Sequence, residues 1–127
     1  MNYGYQRTVK IGFDEVDSKV RETLMAQGFG ILTEIDVKEA FKEKLKIDFQ
    51  RYRILGACNP PLAHKALTAE LEVGMLMPCN VVIWENDDGS VTLSAADAES
   101  LLSVTDANLN HIAVDANQRL KTALDAV

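Results

Sequence analysis

Alternating and helical patterns of apolar residues succeed one another along the chain and indicate an α+β protein. Residues 3–11 alternate loosely and predict a first strand, whereas residues 13–27 carry apolar side chains at helical spacing up to Gly28. The short β-branched segment 30–35 predicts a second strand. An acidic capping box that begins at Asp36 then predicts a short amphipathic helix.

The sharpest local signal lies after a third predicted strand, residues 51–57. Asn59 is a favourable N-cap and Pro60 suits the first helical position, so a helix should begin here. The elements predicted after that start are the helix itself, ending before Gly74, a strand from Pro78 to Trp84, a hairpin turn at 86–89, an antiparallel return strand at 91–95, a helical turn at 98–102, and a final helix with an apolar stripe from Leu109 to Val127.

Length and composition fit one domain over residues 1–127. The chain is 47% apolar and 25% charged, which is typical of a compact soluble protein with a real core. No apolar run has the length of a membrane helix, and the first residues do not resemble a secretory signal. We therefore expect a cytoplasmic protein without membrane contact, in which the only two cysteines stay reduced.

Net charge narrows the expected partners. A formal charge of −6 disfavours binding to nucleic acid and to anionic membranes. The one locally basic segment, residues 38–53, is interleaved with acidic residues and indicates a solvated helix face. No phosphate-binding glycine loop, nucleophilic serine motif or acid–base pair emerges, so we predict no catalytic residues and no cofactor.

Three segments, GFGILTEIDV, YRILGACNPPLAHKAL and MPCNVVIWE, match a known pattern in order and spacing. Over a block of about residues 28–97 the chain resembles the family catalogued as domain of unknown function 302. The resemblance implies a two-layer α+β fold in strand-helix-four-strand-helix order. It also implies a curved antiparallel sheet, helices on one face with short ones inserted between strands 2–3 and 3–4, and often a homodimer. It brings no activity and no catalytic residues.

The strand after Pro78 has apolar residues on both faces. If helices cover the face of Cys79, Val81 and Ile83, then Val82 and Trp84 need another cover, and a second copy of the chain would supply it. These two residues are therefore candidate homodimer contacts. The alternative is that Trp84 packs beneath an inserted helix of its own chain.

The visible chemistry is concentrated in two Cys-Asn pairs, Cys58-Asn59 and Cys79-Asn80. Cys58 precedes a predicted helix start, where unpaired backbone amides and the helix dipole favour a thiolate. His64 lies about one turn into the same helix, and neighbouring antiparallel strands would bring Cys79 close. Asn59 and Asn80 complete this set of candidate ligand-binding or reactive-thiol residues.

Three hypotheses remain open for this set. In the first, both cysteines are simply buried apolar residues. In the second, Cys58 is the nucleophile of a thiol-redox cycle, and Cys79 resolves the oxidised Cys58 by forming a disulfide with it. In the third, a soft metal is held by Cys58, Cys79 and His64 with Met75 or Met77. Three function classes are considered. The favoured class is a dimeric module that binds or senses a small molecule or metal. The alternatives are a thiol-dependent enzyme or redox protein, which is less favoured, and a structural interaction protein.

Overall fold

The computed structural model describes residues 3–127, and in that range it contains five strands, five α-helices and one 3-10 helix. The strands are β1 (Gly4–Val9), β2 (Gly30–Asp36), β3 (Tyr52–Cys58), β4 (Cys79–Glu85) and β5 (Val91–Ala96). The α-helices are α1 (Phe13–Ala26), α2 (Val37–Leu45), α3 (Pro60–Ala69), α4 (Ala98–Leu102) and α5 (Asn110–Asp125), and the 3-10 helix is Leu71–Leu76. This order agrees with the predicted one.

All five strands form one antiparallel sheet in the order β1-β5-β4-β3-β2. The α1 and α5 helices pack against each other and against the central and β1-side strands, which places the core between these helices and one sheet face. Several side chains of that face are fully buried, among them Leu55, Ile83 and Leu93. The α+β class and the antiparallel sheet with helices are confirmed.

The helix boundaries follow the predicted local signals. Asp36 Oδ1 accepts a hydrogen bond from the Glu39 backbone N–H at 3.0 Å and so caps α2. Gly28 follows the end of α1 with a φ of +84°, a conformation that glycine adopts without strain. The helix after Asn59 is shorter than expected: it ends at Ala69, because Glu70 has extended backbone angles, and a separate 3-10 helix follows.

The second sheet face is uncharged along its strands. By the alternation of the pairing register, the described strand positions on this face are glycine, alanine, hydroxyl, amide, aliphatic or aromatic residues, together with Cys58 at the end of β3. Its most apolar row crosses three strands and consists of Ile35, Ile54 and Val82. We call this surface the open face.

Trp84 lies on the open face but has partners within its own chain. Its ring stacks on Tyr52, which contacts Phe49, which in turn meets Phe41 of α2 edge to face. This aromatic chain joins α2 to the sheet and leaves Trp84 half-buried. This contact weakens the prediction that Trp84 needs a second chain to cover it. It favours the alternative, in which Trp84 packs beneath an inserted helix of its own chain.

No helix between residues 3 and 127 is both long enough and apolar enough to cross a bilayer.

Candidate functional site

A cavity of about 350 Å³ opens at the end of the sheet where β3 finishes and β4 begins. Helices α3, α4 and α5 and the 3-10 helix surround it. Its apolar lining includes Phe29, Leu62, Ala66, Leu101, Ile112 and Ala116. Pockets that hold small molecules are concave, mostly apolar and of about 300–1,000 Å³, so this cavity is of ligand size.

Both cysteines line the cavity. Cys58 is the last residue of β3 and Cys79 is the first of β4, and the antiparallel register pairs Ala57 with Cys79. The two cysteines therefore lie next to each other on adjacent strands, both half-buried and both as free thiols. The predicted proximity of the two Cys-containing segments is found.

The environment keeps the Cys79 thiol protonated. Burial, and to a smaller extent the neighbouring Cys58, raise the pKa of Cys79 above its usual value. A thiol with a raised pKa is a poor nucleophile at neutral pH, because the thiolate is the reactive form. Cys79 thus contributes a small, soft and uncharged surface to the cavity.

The start of α3 differs from the expectation for a thiolate site. Pro60 and Pro61 have no backbone N–H, and the N–H of Leu62 donates to Asn59 Oδ1 at 3.3 Å. The N–H of Ala63 makes the first intrahelical hydrogen bond, to Asn59 O at 2.9 Å. No helical N–H of this first turn is left unpaired beside Cys58, so the predicted amide support for an anion is missing here.

Asn59 combines a structural role with a place in the cavity wall. It is only 8% exposed, and besides capping α3 its Nδ2 donates to Gln27 O at 3.4 Å. The same side chain approaches Gly28 so closely that a Cβ there would lie 2.9 Å from Asn59 Nδ2. Asn59 thereby links the end of α1 to the start of α3 and fixes one wall of the cavity.

Of the four remaining candidate residues, only Met77 lines the cavity. His64 and Asn80 are exposed and do not line the cavity, whereas Met77 does. Met75 is exposed and faces a neighbouring groove. Among residues 3–127, no group of three or more His, Cys, Asp or Glu side chains is arranged to hold a metal ion, so the structure does not assemble the predicted soft-metal set.

Part of the cavity wall comes from residues that the sequence did not single out as site residues. Leu101 and Leu102 of α4 and Ile112 and Ala116 of α5 are far from the Cys-Asn pairs in sequence. Their only signal is the apolar stripe that also marks an ordinary core helix. None of the lining residues that the structure describes is charged, which is the clearest chemical property of the site.

Fold and site together define a small α+β domain with a five-stranded antiparallel sheet and a ligand-sized apolar cavity at one end. The chain belongs to the family described as Domain of unknown function DUF302, whose model matches residues 5–127. That match is longer than the block of residues 28–97 on which the resemblance was recognised.

One solved structure similar to the chain is the crystal structure of an uncharacterized conserved protein DUF302 from Bacillus stearothermophilus. The two are 30% identical, the alignment covers 99% of this chain and 98% of that one, and the TM-score is 0.91. No curated protein matches the chain. The relatives therefore establish the family and the fold and leave the activity open.

Proposed function

We propose that this chain is a binding module for an uncharged, apolar small molecule, held in the cavity between α3, α4, α5 and the β3–β4 end of the sheet. The observation that carries the proposal is the lining of the cavity, which is of ligand size and without a charged side chain among the described residues. The family relationship leaves the activity open and is compatible with a binding role.

The polar groups of the cavity favour a neutral ligand over an anion. Both hydrogen-bonding groups of the Asn59 side chain have partners within the protein, and the pKa of Cys79 is raised. A carboxylate placed here would lose its hydration without finding a cation among the lining residues. A ligand with one hydroxyl or carbonyl group and an apolar body loses much less, since the thiols and the apolar lining suit it.

The test is a titration with paired ligands of equal length. Linear alkanols of about six to twelve carbons and the corresponding fatty acids differ mainly in charge at neutral pH. We expect calorimetry at pH 7.5 to show alkanol binding at least about tenfold tighter than that of the fatty acid, because only the carboxylate must be buried as a charge. Mass spectrometry of an organic extract of the purified protein would identify a ligand that is already bound.

A cavity-filling variant separates binding in this cavity from binding elsewhere. Ala63 lines the cavity on α3, whereas Ala69, at the end of the same helix, is exposed and outside it. Ala63→Phe should abolish alkanol binding and Ala69→Phe should leave it unchanged. Equal binding by both variants, or fatty acids binding as tightly as alkanols, would overturn the proposal.

A homodimer through the open face is the second part of the proposal. The row of Ile35, Ile54 and Val82 is apolar, and Ile35 is 50% exposed. In a chain of net charge −6, an uncharged face is the surface that a second copy can meet without like-charge repulsion. The expected contact therefore lies at Val82 and its two neighbours in the row, and no longer at Trp84.

The thiol-dependent enzyme is the less favoured function. It gains support from the two free cysteines that line the cavity, and it loses support from the raised pKa of Cys79 and the absence of free amides in the first turn of α3. The cytoplasmic location, which would keep both thiols reduced, stays a prediction.

A further inference from the structure

A second concave surface lies outside the ligand cavity, between the 3-10 helix and the segment that joins α4 to α5. It is a groove of about 390 Å³, and two large apolar side chains on its walls are unusually exposed, Met75 at 80% and Val104 at 74%. Leu76 belongs to the walls of both the groove and the cavity. Exposed apolar side chains that converge on one groove indicate a contact surface more strongly than scattered ones do.

The same groove is acidic. Glu70, Glu72 and Asp106 line it, and no lysine or arginine does so among the described residues. This local property belongs to a wider one: between Lys65 and Arg119 the sequence has nine carboxylates and no lysine or arginine. All thirteen basic residues of the chain lie outside that stretch, so its charge is strongly asymmetric.

We propose that this groove, defined by Glu70, Glu72, Met75, Val104 and Asp106, is a docking site for a basic amphipathic segment of another protein. Such a segment would place apolar side chains on Met75 and Val104 and lysine or arginine beside the three carboxylates. This occupant is favoured because the groove combines exposed apolar side chains with three carboxylates. The proposal does not depend on a ligand in the cavity.

Two other occupants fit the charges less well. A second copy of the chain would bring the same carboxylates face to face, which costs free energy through like-charge repulsion. An anionic membrane surface would be repelled by the same groups. Each of these occupants gives a different result in the experiment below.

The experiment uses two synthetic peptides as probes on the full chain. One is an amphipathic peptide of about fourteen residues built of leucine and lysine at helical spacing, and the other replaces every lysine with glutamate. Fluorescence anisotropy should show the lysine peptide binding at least about tenfold tighter than the glutamate peptide at low salt. Raising the salt from about 0.05 M to about 0.5 M should remove most of that difference.

Matched variants locate the binding. We expect Met75→Ser combined with Val104→Ser to weaken binding of the lysine peptide about tenfold, since apolar contact area is lost. The control for these exposed positions is Met25→Ser on α1, which is 64% exposed and outside the groove. It should change the affinity less than about twofold.

The charged rim is tested with two double variants that change the net charge of the chain by the same amount. Glu72→Gln with Asp106→Asn should weaken binding about five- to tenfold at low salt and little at high salt. Glu22→Gln with Glu43→Gln removes the same charge from exposed positions elsewhere and should have a smaller effect.

Circular dichroism melts of all variants ensure that only folded proteins are compared. Equal binding of both peptides, or equal losses in the groove and control variants, would overturn the proposal. It would also be overturned if the Met75 and Val104 substitutions abolished self-association or binding to anionic phosphatidylglycerol vesicles and left peptide binding unchanged.

Discussion

The indole ring of Trp84 stacks on the ring of Tyr52, with centroids 5.7 Å apart and planes 3° from parallel. The two residues are register partners on β4 and β3, so the stack is a cross-strand pair. Trp84 Nε1 also donates a hydrogen bond to Asn86 Oδ1 at 3.1 Å. Because Trp84 uses both its ring and its N–H inside one chain, a dimer contact should fall on the neighbouring aliphatic row.

The first prediction concerns that row. Lysine at both Ile35 and Val82 would place like charges across a twofold contact, so Ile35→Lys with Val82→Lys should weaken the dimer at least about tenfold. Analytical ultracentrifugation over a range of protein concentrations measures the association. Met25→Lys, on a helix that packs against the other sheet face, is the control and should leave it unchanged. A wild-type protein that stays monomeric throughout would refute the dimer.

The two thiols should differ in the pH dependence of their reactivity. In Cys58→Ser the remaining Cys79 is half-buried with a raised pKa, so its alkylation by iodoacetamide at pH 7.5 should be at least about tenfold slower than that of an unhindered thiol. Its rate should still rise at pH values above the ordinary thiol range. Burial is the larger cause of the shift, so loss of Cys58 should change this behaviour only slightly.

The alkylation experiment has two references. Cys79→Ser leaves Cys58, which borders the cavity at a half-buried position, as the only thiol. In denaturant both single-cysteine variants should react at the same rate. If Cys79 in the folded protein reacts as fast as in denaturant, its burial does not protect it and the cavity is more open to water than its lining indicates.

Gly56 on β3 marks a close contact between strands. A Cβ at this position would clash with Thr33 Oγ1 and would lie 2.8 Å from Pro78 Cγ. Gly56→Ala should therefore lower the free energy of unfolding by about 1–3 kcal/mol, as overpacking does elsewhere. Urea unfolding measures the change.

Two further variants test the stated cause. Gly30→Ala, where a Cβ meets nothing within 4 Å, should stay within about 0.5 kcal/mol of wild type. Adding Thr33→Ala to Gly56→Ala should restore part of the loss and not all of it, because the contact with Pro78 remains. Full additivity of the two single substitutions would show that Thr33 is not the obstacle.

Asp17 should make stability depend on pH in the acidic range. Burial by itself raises its pKa, but hydrogen bonds from Arg21 and Arg53, each at 2.8 Å, outweigh burial and hold the pKa of Asp17 below its usual value. A depressed folded pKa contributes stability that is present above the unfolded value of about 3.9 and is lost as pH falls through the folded value.

Asp17→Asn should therefore lower the free energy of unfolding by about 1–3 kcal/mol at pH 7, with a smaller difference from wild type near pH 2. Urea titrations at several pH values give the comparison. Asp115→Asn removes an exposed i,i+4 pair with Arg119 and should cost less than about 0.5 kcal/mol. A loss for Asp17→Asn that is the same at pH 2 and pH 7 would contradict the assignment.

The amino-acid sequence by itself determined the structural features that depend only on residues close together in the chain, such as helix caps and strand faces. The Asn59-Pro60 helix start, the Asp36 cap and the alternation along β4 were predicted, because caps and strand faces depend on residues only a few positions apart. These signals, with the family resemblance, were sufficient for the α+β class and the order of the elements.

Only the tertiary structure decided which residues surround the candidate site. Ile112 lines the same cavity as Cys58 because α5 packs on the sheet, and the meeting of residues so far apart in sequence leaves no local pattern. The hydrogen bond from the Leu62 N–H to Asn59 and the stacking of Tyr52 on Trp84 likewise depend on the side-chain positions in the folded protein. An apolar stripe predicts that one face of a helix is buried. Only the packing of that face against other elements decides whether the side chains form a close-packed core or line a cavity.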